Sequence, residues 1–311
     1  MAKTAFIFPG QASQYVGMAR DLYESSEKVK ALYQKASEIL GYDLMDVSFN
    51  GPLEKLTETM YTQPAILVHS LAILTELGGN TGDPAFVAGH SLGEYSALVC
   101  AGVLDPGDAI LAVRERSRLM QAACDASDGT MAAVIGCEGE MLEELIKAAS
   151  REGVVQPANF NSPGQVALSG DRKAVEKAVE LAKTYGAKKA IPLQVGGAFH
   201  SPLMLPAPVE LSKVLDGISF MPANIRVVTN VEAIGEKDPV KLKQLLIDQL
   251  TAPVLWRQSL EFMHHNGVEH FIEIGPGKVL SGLVKRTITG VKIENIDTLQ
   301  DLHSYLEVAK V

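Results

Sequence analysis

The segment Ala85-Phe86-Val87-Ala88-Gly89-His90-Ser91-Leu92-Gly93-Glu94-Tyr95-Ser96-Ala97 decides how the rest of the chain is read. Ala85 to Ala88 is a short apolar run that follows a loop, Gly78-Gly79-Asn80-Thr81-Gly82-Asp83-Pro84, and reads as a buried strand. Glu94 to Gly102 reads as a helix, so Gly89 to Gly93 must be a sharp strand-to-helix turn. Gly89-His90-Ser91-Leu92-Gly93 fits G-x-S-x-G in the context that gives the motif its chemistry. Side chains at the flanking positions would collide with the strand and helix, which explains both glycines. The serine Oγ is then presented above a sheet, with a helix N-terminus behind it that favours developing negative charge. Ser91 is therefore read as a nucleophile, against the alternative of a purely structural turn. His90 points away from its neighbour on such a turn and is assigned to packing or a supporting hydrogen bond.

Working outward, Thr4 to Phe8 reads as a buried strand closed by Pro9-Gly10. Helices are expected over Glu24–Leu40, from near Pro64 with the apolar set Ile66, Leu67, Leu71 and Leu74, and over Pro106–Cys124. From Gly129 the pattern changes: strand Thr130–Ile135, helix Glu138–Ala149, and strands Val154–Asn159 and Gln165–Ser169 joined through Asn161-Ser162-Pro163-Gly164. Helix Asp171–Tyr185 and strand Ala187–Val195 then complete the order βαββαβ, that of a ferredoxin-like unit. Ile225–Thr229 and His270–Ile274 are further strands, and a helix begins near Lys278. Strands that alternate with helices imply a mainly parallel sheet covered on both faces. The expected division is a large α/β domain, residues 1–127 and 196–311, with a small inserted domain, residues 128–195.

A serine nucleophile needs a base. Of the seven histidines, His200 lies in a loop, Gly196-Gly197-Ala198-Phe199-His200-Ser201-Pro202, at the junction of the two domains, where ligand clefts gather. His264 and His265 read as surface residues and His270 as structural. No Asp is marked as a third member, so the sequence supports a Ser-His pair. Oxyanion donors would be the backbone N–H of Leu92 and one from the first strand-to-helix loop, Pro9-Gly10-Gln11.

Arg116 is out of place by its periodicity. It falls with Ala109, Ala112, Val113, Met120 and Ala123 on the apolar stripe of its helix, whereas Arg114 and Arg118 share another side. A buried guanidinium cannot deprotonate and demands a partner. Two readings stay open: an internal ion pair with a protein carboxylate, or presentation to a substrate carboxylate.

Composition narrows the partners. Among 311 residues, 28 Lys+Arg against 37 Asp+Glu give a net charge of -9, which argues against nucleic acid as the main partner. The first eight residues lack the length and cleavage pattern of a signal peptide, and no apolar stretch is long enough for a membrane span. Cys100, Cys124 and Cys137 have no metal-ligand spacing and read as core residues in a reducing cytoplasm. No metal and no cofactor is expected. Gly275-Pro276-Gly277-Lys278-Val279 lacks the spacing and the Ser/Thr of a P-loop and is a strand-to-helix turn.

The chain resembles the malonyl-CoA:acyl carrier protein transacylases of fatty-acid synthesis. The likeness is carried by Phe8-Pro9-Gly10-Gln11, Gly89 to Ala97, Arg116 with Met120-Gln121, Asn159-Phe160-Asn161-Ser162-Pro163-Gly164-Gln165, Gly197-Ala198-Phe199-His200-Ser201, Gln249-Leu250 with Pro253-Val254 and Trp256, and Glu273-Ile274-Gly275-Pro276-Gly277. The resemblance implies an α/β-hydrolase-like large domain with a mainly parallel sheet plus an inserted ferredoxin-like small domain. It further implies Ser91 as nucleophile, His200 as base oriented by the main-chain carbonyl of Gln249, and oxyanion N–H groups from Gln11 and Leu92. Arg116 would pair with the malonyl carboxylate, and Phe199 looks like the malonyl-selective form. The implied substrates are malonyl-CoA and acyl carrier protein, acted on by a cytoplasmic monomer. Ala12 departs from the pattern, since the family more often has Gly there and a Cβ restricts the backbone.

Other readings are a serine esterase or thioesterase, for which the same pair would serve, and a non-catalytic α/β binding module. An acidic carrier protein would need a local basic cluster on this acidic chain, and Lys188-Lys189 and Lys285-Arg286 are the candidates.

Overall fold

The computed structural model describes residues 3–78 and 83–308. Its ten strands are β1 (Lys3–Phe8), β2 (Phe86–Gly89), β3 (Gly129–Ile135), β4 (Val155–Ser162), β5 (Gln165–Asp171), β6 (Lys189–Pro192), β7 (Arg226–Val228), β8 (Gly235–Glu236), β9 (Val268–Ile274) and β10 (Lys292–Ile296). They form two sheets. The larger has the order β10-β9-β1-β2-β7-β8, and all its pairs are parallel except β7 with β8. The smaller is antiparallel, with the order β4-β5-β3-β6.

Alternation along β1 shows why the large sheet is buried on both sides. Phe6 and Phe8 join the main core, while Ala5 and Ile7 join a second cluster with Phe86, Ala88, Val228 and Trp256. Each face is covered by helices, as a parallel sheet requires. The helix Thr59–Leu77 is buried nearly all round from Thr62 to Ile73 and runs through the main core.

In the small sheet the alternation separates two tasks. Ala132 and Val134 of β3, with Val166 and Leu168 of β5, pack on the helices Gly139–Ala149 and Arg172–Leu181. The intervening Met131, Ala133, Gln165 and Ala167 face a cavity above the large sheet. Backbone bonds stitch the two sheets' surroundings together: the Phe160 N–H donates to the Val254 carbonyl at 2.9 Å, and the Val254 N–H to the Ala158 carbonyl at 2.8 Å.

Several sequence-derived boundaries are corrected. The helix expected over Glu24–Leu40 is two helices, Arg20–Ser25 and Glu27–Leu40, broken at an extended Ser26 whose side chain caps the second. The helix placed near Pro64 begins at Thr59. Proline cannot bond the Met60 carbonyl from inside a helix, and the Tyr42 hydroxyl approaches that carbonyl at 3.4 Å instead. Asn161 and Ser162, read as loop, belong to β4, and the last small-sheet strand is only Lys189–Pro192. β8 and β10 were not anticipated. Of the loop Gly78–Pro84, residues 79–82 lie outside the described residues.

Candidate active site

The cavity between the sheets collects residues from the carboxyl ends of parallel strands, where open α/β sheets bind ligands. Gly10 and Gln11 follow β1, and Ser91 and Leu92 follow β2. His90, Arg286, Phe199 and His200 also line its large-sheet side.

The turn after β2 is as tight as the motif demands. A Cβ on Gly89 would overlap the Gly93 backbone, and one on Gly93 would overlap the Phe8 carbonyl. Ser91 itself sits at φ +51°, a strained left-handed conformation for a residue with a side chain. Asn230, just past β7, holds it there: its Oδ1 accepts the Ser91 N–H at 2.7 Å and its Nδ2 donates to the Gly89 carbonyl at 2.6 Å.

Ser91 Oγ lies 2.8 Å from Nε2 of His200, and Nδ1 of His200 lies 2.8 Å from the main-chain oxygen of Gln249. A carbonyl only accepts, so Nδ1 carries the proton and Nε2 offers its lone pair to the serine hydroxyl. Gln249 directly follows the helix Pro239–Asp248 and so lies at the negative end of its dipole. That end favours an imidazolium formed during proton transfer. Burial, reinforced by the Arg116 charge, pulls His200 down to about 3, so the imidazole rests neutral. His200 also has a positive φ, +55°, and its own carbonyl accepts from the Gln156 side chain at 2.8 Å.

Arg116 is 0 % exposed and reaches this pair from the helix Pro106–Asp125. It donates to Gln63 Oε1 at 2.6 Å, to Gln249 Oε1 at 2.8 Å and to Ser91 Oγ at 3.0 Å. No Asp or Glu among the described residues bonds it directly, which removes the reading of a direct internal ion pair. Three hydrogen bonds from a charged donor, at roughly 1.5–3 kcal/mol each, offset a burial penalty of several kcal/mol. The result is a cation beside Ser91 Oγ, held by neutral oxygens.

Neither the Leu92 nor the Gln11 backbone N–H donates to another protein group among the described residues. Both residues line the cavity. Ala12, where a glycine was expected, adopts φ +81° and gives its N–H to Gln14 Oε1 at 2.8 Å. The loop thus keeps a glycine-like conformation despite the Cβ. Phe199 is 7 % exposed and forms part of the cavity wall.

The chain as a whole is similar to known proteins. The model of the acyl transferase domain matches residues 5–303. A malonyl CoA-acyl carrier protein transacylase of Bacillus subtilis is 45% identical over 304 residues, 96% of each chain, and one of Staphylococcus aureus is 43% identical over 308 residues, 99% of each. An acyl carrier protein S-malonyltransferase structure from Vibrio cholerae superposes with a TM-score of 0.93 at 47% identity, covering 98% of this chain and 100% of that one. A malonyl-transacylase solved in complex with a type II PKS acyl-carrier protein gives 0.94 at 42% identity, covering 99% and 100%. The chain belongs to the acyl transferase family.

Within the acyltransferase, the remaining histidines stay away from the cavity lining, except His90. Its Nε2 lies 2.9 Å from Asn161 Oδ1 on the small sheet, and its ring stacks edge-on to Trp256 at 5.5 Å. His270 lies 2.6 Å from Glu294, and the Nδ1 atoms of His264 and His265 face backbone carbonyls. Cys124 and Cys137 are buried, Cys100 is half-buried, and all three are free thiols. No group of three metal-ligating side chains forms among the described residues, and no helix there is long and apolar enough to cross a membrane.

Sequence reading missed Asn230, Glu94, Gln63 and Gln156. Asn230 was the most accessible of these, because it directly follows a recognised strand at the end where ligands bind. The two basic pairs are all exposed, but only Arg286 borders the cavity; Lys188 and Lys189 lie outside its lining, at the start of β6.

Proposed function

We propose that this acyltransferase moves a malonyl group from coenzyme A to the phosphopantetheine thiol of an acyl carrier protein, through an ester on Ser91, to supply fatty-acid synthesis. The observation that carries the reading is Arg116: a buried cation with no directly bonded carboxylate among the described residues, hydrogen-bonded to the nucleophile itself. A malonyl group brings the missing carboxylate on the acyl chain that Ser91 would receive. The names of the relatives point the same way, and one solved relative is held by a carrier protein.

Nε2 of His200 takes the Ser91 proton as Oγ attacks the thioester carbonyl. The N–H groups of Gln11 and Leu92 receive the charge that develops on the carbonyl oxygen. Collapse expels the coenzyme A sulfur, which leaves with the proton from His200. In the second half the carrier thiol gives its proton to His200 and attacks the ester, and the same proton returns to Ser91 Oγ. The Gln249 carbonyl keeps the imidazole in the required tautomer throughout, and Phe199 shapes the wall against which the acyl group lies.

The architecture is read as an α/β-hydrolase-like domain, residues 1–127 and 196–311, with a ferredoxin-like insert, residues 128–195. The order βαββαβ and the strand arrangement β4-β5-β3-β6 support the insert. A cytoplasmic monomer that needs no cofactor beyond its two thiol substrates completes the proposal. Initial-rate patterns test it: parallel lines for malonyl-CoA against carrier protein are expected for an acyl-enzyme, and intersecting lines would contradict it.

A further inference from the structure

A buried carboxylate behind the nucleophile has no part in the mechanism above. Glu94, on the helix Gly93–Cys100, is 1 % exposed. Its Oε2 accepts from Gln249 Nε2 at 2.7 Å and from the Asn230 N–H at 3.2 Å. The same Gln249 amide accepts from Arg116 through Oε1, and the same Asn230 accepts the Ser91 N–H. Glu94 is therefore one side chain away from both the cation and the nucleophile. The charged and titratable groups that face it are Arg116 from the helix Pro106–Asp125 and the Tyr95 phenol on its own helix, with His200 beyond Ser91. Gln249 and Asn230, from the other elements packed on it, are neutral.

Two requirements conflict at Arg116. A buried guanidinium is stabilised by nearby negative charge, yet a direct ion pair would occupy the N–H groups that a substrate carboxylate needs. The Gln249 amide reconciles them, with its N–H towards the carboxylate and its oxygen towards the cation. Glu94 then offsets the charge without itself taking a guanidinium N–H, and Arg116 Nε has no partner among the described residues. Once a substrate carboxylate arrives, two carboxylates share one cation in a desolvated space, and both cannot stay ionised without penalty.

We propose that Glu94 is the internal counter-charge of Arg116 and takes up a proton when a substrate carboxylate pairs with Arg116. Acyl groups that carry a carboxylate are then bound with proton uptake, and neutral acyl groups without it. The inference rests on Arg116 receiving the malonyl carboxylate. Burial already pushes the Glu94 carboxyl up to about 7, against the opposing pull of its hydrogen bonds and of Arg116, so the proton can be exchanged near neutrality.

The sign follows from linkage. As pH rises from about 6 to about 8.5, Glu94 ionises and resists the second negative charge, so malonyl binding weakens. The KM of malonyl-CoA in the acylation half-reaction is expected to rise about tenfold over that range, the effect of roughly one pKa unit of coupling, while that of acetyl-CoA stays level. Glu94→Gln keeps an oxygen for Gln249 and Asn230 but cannot exchange the proton. Its malonyl-CoA KM should stay within about twofold across the range, near the low-pH value of the unsubstituted protein. Equal slopes for malonyl-CoA and acetyl-CoA, or an unaltered slope in Glu94→Gln, would overturn the proposal. Should that variant not fold, calorimetry of Ser91→Ala with each thioester, in buffers of different ionisation enthalpy, reads the same quantity. Proton uptake with malonyl-CoA alone supports the proposal, and none with either thioester refutes it. Arg116→Ala separates the two ideas: if it does not discriminate malonyl from acetyl, the Arg116 reading itself fails, whereas discrimination without a pH slope removes only Glu94.

Discussion

The two sheets contribute to one cavity in unlike ways. The large-sheet region supplies Ser91 after β2 and His200, which both line the cavity, and behind them the Gln249 carbonyl that bonds His200 and the buried Arg116 that bonds Ser91. The small antiparallel sheet supplies Met131, Ala133 and Ala167, with the amides of Asn159, Asn161 and Gln165. The first set works only at hydrogen-bond distances and through a strained backbone; the second needs size and polarity. Substitutions in the two regions should therefore differ in kind, with lost turnover on one side and altered substrate fit on the other.

The largest expected effect is at Ser91, the proposed nucleophile. Ser91→Ala should lower transfer by roughly 10⁴-fold or more. His200→Ala should slow both half-reactions by roughly 10²–10⁴-fold, because one imidazole serves each. Rapid-quench measurement of the separate half-reactions checks both. Arg116→Ala comes next, with a loss of roughly 3–5 kcal/mol in transition-state stabilisation for malonyl, while acetyl transfer is spared or improved. Equal losses for the two acyl groups would make Arg116 structural and blur the division.

Ala167→Leu probes the other side. Filling the cavity wall should raise KM for malonyl-CoA and carrier protein about tenfold, with less than about a threefold change in the acylation of Ser91 by a small activated ester. A comparable loss on the small ester would show that the small sheet also sets the catalytic geometry. The pH profile sharpens the contrast. Since His200 is pulled down to about 3, acylation by the small ester should stay level as pH falls from about 7 to about 5, where an ordinary histidine base would already be protonated. An acid limb near 6.5 would contradict the buried, neutral imidazole.

The smallest effects concern docking. Lys285→Glu with Arg286→Glu should raise the KM of the carrier protein about fivefold and weaken its salt dependence, with the malonyl-CoA burst little changed. Lys188→Glu with Lys189→Glu should do less, since only Arg286 of these four borders the cavity. Unchanged carrier kinetics in both would remove electrostatic docking from the account.

Much of this site was legible because its determinants are local. The elbow is written within five residues, and the place of Arg116 follows from the period of one helix. The βαββαβ order of the small sheet could be read directly, since each of its elements has a clear period and a turn. What escaped is long-range or main-chain. Asn230 and Glu94 meet across 136 positions, so no sequence window contains both. The group that orients His200 is a carbonyl, which leaves no side-chain signature, and only the family resemblance supplied Gln249. β10 was missed because Lys-Ile-Glu-Asn-Ile on an edge is half polar and mostly half-buried. The break at Ser26 was missed because the apolar period continues across it.

The measurement closest to the central claim is intact-protein and peptide mass spectrometry after brief incubation with malonyl-CoA. A single malonyl adduct is expected, mapped to the peptide containing Ser91, absent in Ser91→Ala and discharged by carrier protein. An adduct on another residue, or transfer at the normal rate with no adduct at all, would contradict it.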